Sequence, residues 1–336
     1  MSNEQETPEF SAALLHPRFW PTWLLFGLWW LVVLLPYPFL VCLGRLLGGL
    51  FLLFGSERKT FARRNLELCF PEFDQKAREK IMRDSFYSTG ISFLEMGMAW
   101  WWPDWRVKNL CRVEGLEHIQ NLGGQGAILL GMHFTTLDMG GAGFSLFQSY
   151  GSMYRSHDNP VFDLVQHRGR TRRKDLVIFP RGDLRTMVRL LKKGVPVWYA
   201  PDQDYGAERS VFVPFFGITA ATITATGKLA QMGNAVALPF THERLSWCRG
   251  YLIKVHPPVE GFPAGDEIQD ATLANQAIEQ CIRACPGQYL WAHRRFKSRP
   301  EGESRLYPQK RSRQVKNARK EEARALRRAE EENPTE

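Results

Sequence analysis

"GAILLGMHFTTLDMGGAGF", residues 126–144, decides the reading of the fold. Its opening, "GAILLGMHF" (126–134), is a short apolar run of strand character, and "TLDMGGAGF" then enters a helix. A strand that hands over to a helix within a few residues is the repeating unit of parallel α/β sheets. The junction carries His133 at the carboxyl end of the strand and Asp138 in the first turn or so of the helix. Ligands of open α/β sheets bind beyond those strand ends, and a helix N-terminus offers free N–H donors to a developing anion. Five residues through a turn can fold the carboxylate back onto the imidazole, fixing its tautomer and leaving the other nitrogen to take a proton. A capping aspartate beside a half-buried histidine fits the same spacing, so the rest of the chain has to decide.

Around this block strands and helices alternate from about residue 112 onward. Strands are expected at 126–134, 151–155, 176–179, 195–200, 235–240 and 251–256, and helices at 182–194 and 219–233. The pattern predicts an α/β domain, residues 111–307, with a largely parallel central sheet. Residues 45–110 read as helical and membrane-proximal, with Asp74 as a helix cap and Pro103 as a break. Residues 1–18 form a flank, and 308–336 a charged tail that is solvated or helical and able to touch anionic headgroups.

Between Phe19 and Gly44 no residue is charged. That stretch, 19–44, is expected to be a transmembrane helix, provided Pro21, Pro36 and Pro38 near its ends are tolerated. Arg45, Arg58, Lys59, Arg63 and Arg64 follow it and only Arg18 precedes it, which places the main body in the cytoplasm. The 336 residues carry a net charge of +9, a surface suited to anionic partners such as acidic proteins, phosphorylated ligands and anionic lipid. Nucleic acid is not expected, because no binding motif or interleaved aromatics accompany the basic residues. The six cysteines lack metal-site spacing and read as reduced thiols, so no metal is expected.

No G-x-S-x-G elbow and no Walker loop occurs in the chain. A histidine base without a nucleophile of its own suits direct transfer of an already activated group, such as a thioester, onto a substrate hydroxyl.

Further strings join the H-x4-D block: "LLHPRFW" (14–20), "RRNLELCFPE" (63–72), "EMGMAWWWPD" (95–104), "YAPDQDYG" (199–206), "VFVPFFG" (211–217) and "QYLWAHRRFKSRP" (288–300). Together they resemble the lipid A biosynthesis acyltransferases of the H-x4-D/E glycerolipid acyltransferase superfamily. The resemblance implies a glycerolipid-acyltransferase-like α/β domain behind a single-pass anchor, on the cytoplasmic side of the bacterial inner membrane. It implies transfer of a fatty acyl group, lauroyl in the first instance, from acyl carrier protein to a hydroxyacyl hydroxyl of a phosphorylated, Kdo-lipid IVA-type acceptor, with no cofactor. His133 would be the general base and Asp138 its partner. Arg170, in "QHRGRTRR" (166–173), matches an arginine beside the active site, or is a solvated helix residue. Asp202 and Asp204, beyond the strand "VPVWYA", either line the same cleft, Asp202 touching substrate, or cap turn N–H groups. Arg294 and Arg295, in "HRRFK", suit sugar carboxylates and phosphates, or form a solvated rim. Two other readings stay open: a lysophosphatidate acyltransferase, whose "EGTRS"-type block is not found here, and a membrane-tethered protein that only binds anionic lipid.

Overall fold

The computed structural model describes residues 8–173 and 176–308, so the expected charged tail lies, from residue 309 on, outside the described residues. Helices lead: α1 (Trp20–Val33), α2 (Tyr37–Phe54), α3 (Ser56–Cys69), α4 (Gln75–Trp101) and α5 (Asp104–Lys108). Then come β1 (Cys111–Glu114), α6 (Glu117–Gln120), β2 (Gly126–Leu130), α7 (Leu137–Phe144), β3 (Tyr150–Tyr154), α8 (Pro160–Thr171), β4 (Leu176–Pro180), α9 (Leu184–Lys192) and β5 (Val197–Tyr199). The hairpin β6 (Ser210–Phe215) and β7 (Ile218–Ile223), α10 (Ala225–Gly233), β8 (Ala235–Arg244), β9 (Tyr251–Val255) and α11 (Glu267–Ala284) complete the chain.

Seven strands make one sheet in the order β1-β9-β8-β2-β5-β3-β4, parallel throughout except between β8 and β9. Buried on both faces, β2 has all five residues inaccessible, as its unbroken apolar run requires. Alternate side chains feed two layers. Ile128 and Leu130 join Met187 and Leu191 of α9 and Leu229 of α10 in one core. Ala127 and Leu129 join Met139 and Phe144 of α7 and Leu164 of α8 in the other.

Asp74 caps α4 through a 2.7 Å bond from Ala77 N–H, and Pro103 separates α4 from α5, both as expected. The helix expected over 219–233 divides instead into β7 and α10. Ile218, Thr219, Thr222 and Ile223 favour extended backbone. Phe216 and Gly217, at φ 52° and 73°, form the two-residue turn that returns β7 against β6.

The apolar stretch 19–44 is two helices rather than one. Pro36 cannot continue α1 and biases Leu35 away from helical geometry, so α1 ends at Val33 and α2 starts at Tyr37. The 14 residues of α1 reach about 21 Å, short of a hydrocarbon core of about 30 Å. The 18 residues of α2 have the length and composition to cross a membrane. Outward, α1 presents Trp20, Leu24, Leu25, Leu28 and Leu31, and α2 presents Phe39, Leu43, Leu46, Leu50 and Leu53. Inward, Gly44 and Gly48 let α2 rest on the backbone of α4 at Gly90: a Cβ on Gly90 would lie 2.2 Å from the Gly44 carbonyl oxygen.

On its other side α4 is fastened to the sheet by a buried ion pair. The Arg244 guanidinium donates twice to Glu95, at 2.5 and 2.6 Å, and once to the Ser88 hydroxyl, while the Tyr251 hydroxyl also donates to Glu95. Glu95 is 1 % exposed, so removing either partner strands a charge. Glu95→Ala should cost about 3–5 kcal/mol and lower the melting temperature in detergent. Glu95→Gln combined with Arg244→Met should recover part of that loss; an unchanged melting temperature in the single variant contradicts this role.

Candidate active site

Parallel strands β2 and β5 lie side by side, and each extends past the sheet edge by a few residues. The Gly131 N–H donates to the Tyr199 carbonyl at 2.9 Å, which keeps the extensions in step. His133 and Asp202, 69 residues apart in sequence, therefore meet at the carboxyl edge of the sheet. The His133 Nδ1 is 2.6 Å from Asp202 Oδ1, and the His133 backbone N–H donates to Oδ2 at 2.8 Å. The Tyr289 hydroxyl donates to Oδ2 as well, at 3.0 Å. Asp202 has no solvent exposure.

Burial alone would push the Asp202 carboxyl up, but the His133 imidazole and these hydrogen bonds outweigh it and hold its pKa below the ordinary value. For His133 burial disfavours the charged ring, yet the Asp202 charge and hydrogen bond prevail and raise its pKa above the usual histidine value. An ionised carboxylate at Nδ1 fixes the proton there and leaves Nε2 as the acceptor. Nε2 has no partner among the described residues, and a quarter of the side chain is exposed.

The histidine's backbone is held just as firmly. The Leu290 N–H donates to the His133 carbonyl at 3.1 Å, and the Thr135 N–H to the Gln288 carbonyl at 2.8 Å, so residues 288–290 run antiparallel beside the loop. The Thr136 hydroxyl donates to the His242 carbonyl at 2.7 Å and accepts from its Nδ1–H at 2.8 Å. Burial pushes His242 down to about 4, so it stays neutral at physiological pH. Gly140 lets α7 press against that ring: a Cβ there would come within 2.5 Å of the imidazole.

His133 stands at the mouth of a cavity that runs down the sheet between α7, α8 and the end of α4. Apolar side chains line most of it, among them Leu137, Ala142, Met153, Ile178, Trp198 and Phe240. Trp198 lies across Gly131, where any Cβ would strike the indole at 2.2 Å. Tyr150, the first residue of β3, also lines it; it is 4 % exposed, packs on Phe144 and brings its hydroxyl against Gly141 of α7.

The expected pairing of Asp138 with His133 is not what the fold produces. Asp138 sits in the first turn of α7 and accepts from Arg170 of α8 at 3.0 Å. Both line the mouth of the cavity, each roughly a quarter exposed or less. The carboxylate on the ring is Asp202, which lies too deep to form a wall of the cleft. Asp204 accepts from Ser298 N–H at 2.6 Å, from the Ser298 hydroxyl at 2.8 Å and from Gly206 N–H at 2.9 Å, a turn-capping role.

Arg295 is not a substrate-facing cation either. It is 3 % exposed and donates to the Ala221 carbonyl at 2.6 Å and the Thr222 hydroxyl at 2.9 Å, binding the "HRRFK" segment to the hairpin. Arg294 covers the Phe61 ring and does not line the cavity. The segment runs through successive tight turns, which send Arg294 and Arg295 to different surroundings, so the two form no pair at the cavity. Tyr289, Trp198 and Tyr150 carried no signal in the sequence, because their importance comes from strands and loops distant in the chain.

A profile of bacterial lipid A biosynthesis acyltransferases matches residues 7–298. The chain is 46 % identical over 298 residues to the lipid A biosynthesis lauroyltransferase of Escherichia coli (strain K12), covering 88 % of this chain and 97 % of that protein. It is 44 % identical over 302 residues to the palmitoleoyltransferase of the same organism, covering 89 % and 98 %. To the myristoyltransferase of that organism it is 29 % identical over 317 residues, covering 92 % and 97 %. A match of this extent, over both the helical segment and the sheet that carries His133, makes the chain a member of the bacterial lipid A biosynthesis acyltransferase family, and an enzyme.

Proposed function

We propose that the protein transfers a lauroyl group from acyl carrier protein to a hydroxyacyl hydroxyl of a phosphorylated, Kdo-lipid IVA-type precursor of lipid A. The observation that carries this reading is an imidazole with Nδ1 bound to a buried carboxylate and Nε2 open at the mouth of an apolar cavity. His133 is the general base and Asp202 its positioning residue. The acyl chain lies in the cavity, its thioester carbonyl near Nε2. As Nε2 takes the acceptor's hydroxyl proton, the oxygen attacks the carbonyl carbon and the carrier thiol departs. The imidazolium that forms is stabilised by Asp202 and then protonates the departing sulfur.

Arg170 and Asp138 hold the mouth open between α7 and α8. The remaining N–H donors of Arg170 face an acceptor phosphate or the developing anion. The exposed apolar faces of α1 and α2 seat in the bacterial inner membrane, with α2 as the candidate span and the catalytic domain on the cytoplasmic side. Family membership favours a lipid A precursor over lysophosphatidate, and a base at a cavity mouth favours catalysis over simple lipid binding.

His133→Ala should lower kcat by about 10²–10⁴-fold in an assay with lauroyl carrier protein and the lipid A precursor. Unchanged turnover sinks the base assignment, and turnover confined to lysophosphatidate sinks the acceptor.

The pH profile tests Asp202. The base works only when neutral, so kcat/KM should rise with pH through a midpoint above about 6.5, the ordinary histidine value. In Asp202→Asn the amide oxygen takes the place of Oδ2 beneath two donors, and its NH2 then faces Nδ1. The ring proton moves to Nε2, so kcat should fall, and with the negative charge gone the midpoint should move to lower pH. A midpoint that stays in place would separate Asp202 from the base.

Tyr150 tests the cavity. Tyr150→Ala enlarges it, so the ratio of kcat/KM for a palmitoyl over a lauroyl donor should rise about tenfold or more. An unchanged ratio would mean that the chain lies elsewhere.

A further inference from the structure

On the face of the sheet away from the cavity, α9 and α10 lie together and leave a groove between them. Its floor is apolar. Leu184 and Val188 stand one turn apart on α9, and Leu229 and Met232 face them from α10. Leu184 is 45 % and Met232 60 % exposed, a poor arrangement for side chains that meet only water. The rim is cationic: Arg185, Arg189, Lys192 and Lys193 come from α9 and the residue after it, and Lys228 from α10. Lys228 is paired with Glu267 at 2.7 Å, and the other four make no ion pair among the described residues. Nothing in the catalytic geometry uses this groove.

We infer that the groove docks the acyl donor protein, receiving an acidic amphipathic helix of the carrier with apolar side chains on the strip and carboxylates along the rim. The inference rests on the proposed carrier-bound donor. A helix laid in a two-helix groove buries its apolar face there, and opposite charges at the rim steer the encounter and set its register. Position supports it. Helix α9 leaves the carboxyl end of β4 and α10 runs down to the amino end of β8, so Leu184, Arg185 and Ala225 lie toward the sheet edge that carries His133. An acyl group tethered to a carrier seated there approaches the cavity mouth around that edge. A bilayer is the poorer occupant, because the exposed apolar faces of α1 and the first half of α2 lie with the opposite layer, where Phe26, Val33, Tyr37 and Leu40 pack with Leu164 of α8, and the groove's rim is a row of cations rather than an apolar face.

The test is the full-length protein in detergent carrying Arg185→Glu, Arg189→Glu and Lys192→Glu together. The Kd for the holo carrier protein should rise tenfold or more, and KM for the lauroyl carrier should rise equally while kcat is kept. Wild-type affinity should fall with added salt, and that of the variant should not. A carrier with acidic-to-lysine substitutions along an acidic helix should bind the variant better than the wild type. Equal carrier affinity in the two proteins overturns the inference. So does equal carrier affinity accompanied by weaker binding to anionic phosphatidylglycerol vesicles, which would assign the rim to lipid. Wild type that binds the carrier but never turns over its thioester would fail the donor reading and leave the docking result standing.

Discussion

A carboxylate with no access to water must find its hydrogen bonds within the protein, and the three donors that Asp202 finds organise the whole catalytic edge. One is the backbone N–H of His133, one the ring of the same residue, and one the Tyr289 hydroxyl. Satisfying them brings three distant segments together: the extension of β2, the extension of β5 and the stretch after α11. The charge stays ionised because the imidazole is beside it, and the imidazole keeps its tautomer because the charge is there. Each group would be expensive to bury without the other.

Much of this architecture could be read along the chain. The unbroken apolar run of β2 marked a strand buried on both faces, and the strand-helix alternation marked a parallel sheet. The place of His133 at a strand end was legible from the apolar run before it, and the strings around it made it the candidate. Its partner was misjudged for a physical reason. Five residues separate His133 from Asp138, whereas Asp202 becomes a neighbour only because β5 inserts between β2 and β3 in the sheet, an order that local sequence does not encode. The same limit hid Tyr289 and split the arginines of "HRRFK". At the N-terminus the apolar count was read correctly, but Pro36 weighed more than expected and divided the stretch in two. Strand β7 was taken for the start of a helix because small residues such as Ala220 and Ala221 suit either state, and its β-branched neighbours decided the matter.

The two faces of the sheet divide the labour. One carries α7, α8, the catalytic cavity and, beyond them, the apolar surface of α1. The other carries α9, α10 and a cationic groove. In the proposed reaction a lipid acceptor and a carrier-bound donor would come from opposite sides and meet at the carboxyl edge where His133 stands.

Glycines 44, 48 and 90 allow α2 and α4 to touch backbone to backbone, and α4 is in turn bolted to β8 through Glu95 and Arg244. Were α2 seated in lipid, this run of contacts would tie the bilayer directly to the strand edge where His133 stands. The height of the imidazole above the headgroups would then be set by the fold, and a lipid acceptor would have to bring its hydroxyl to that level.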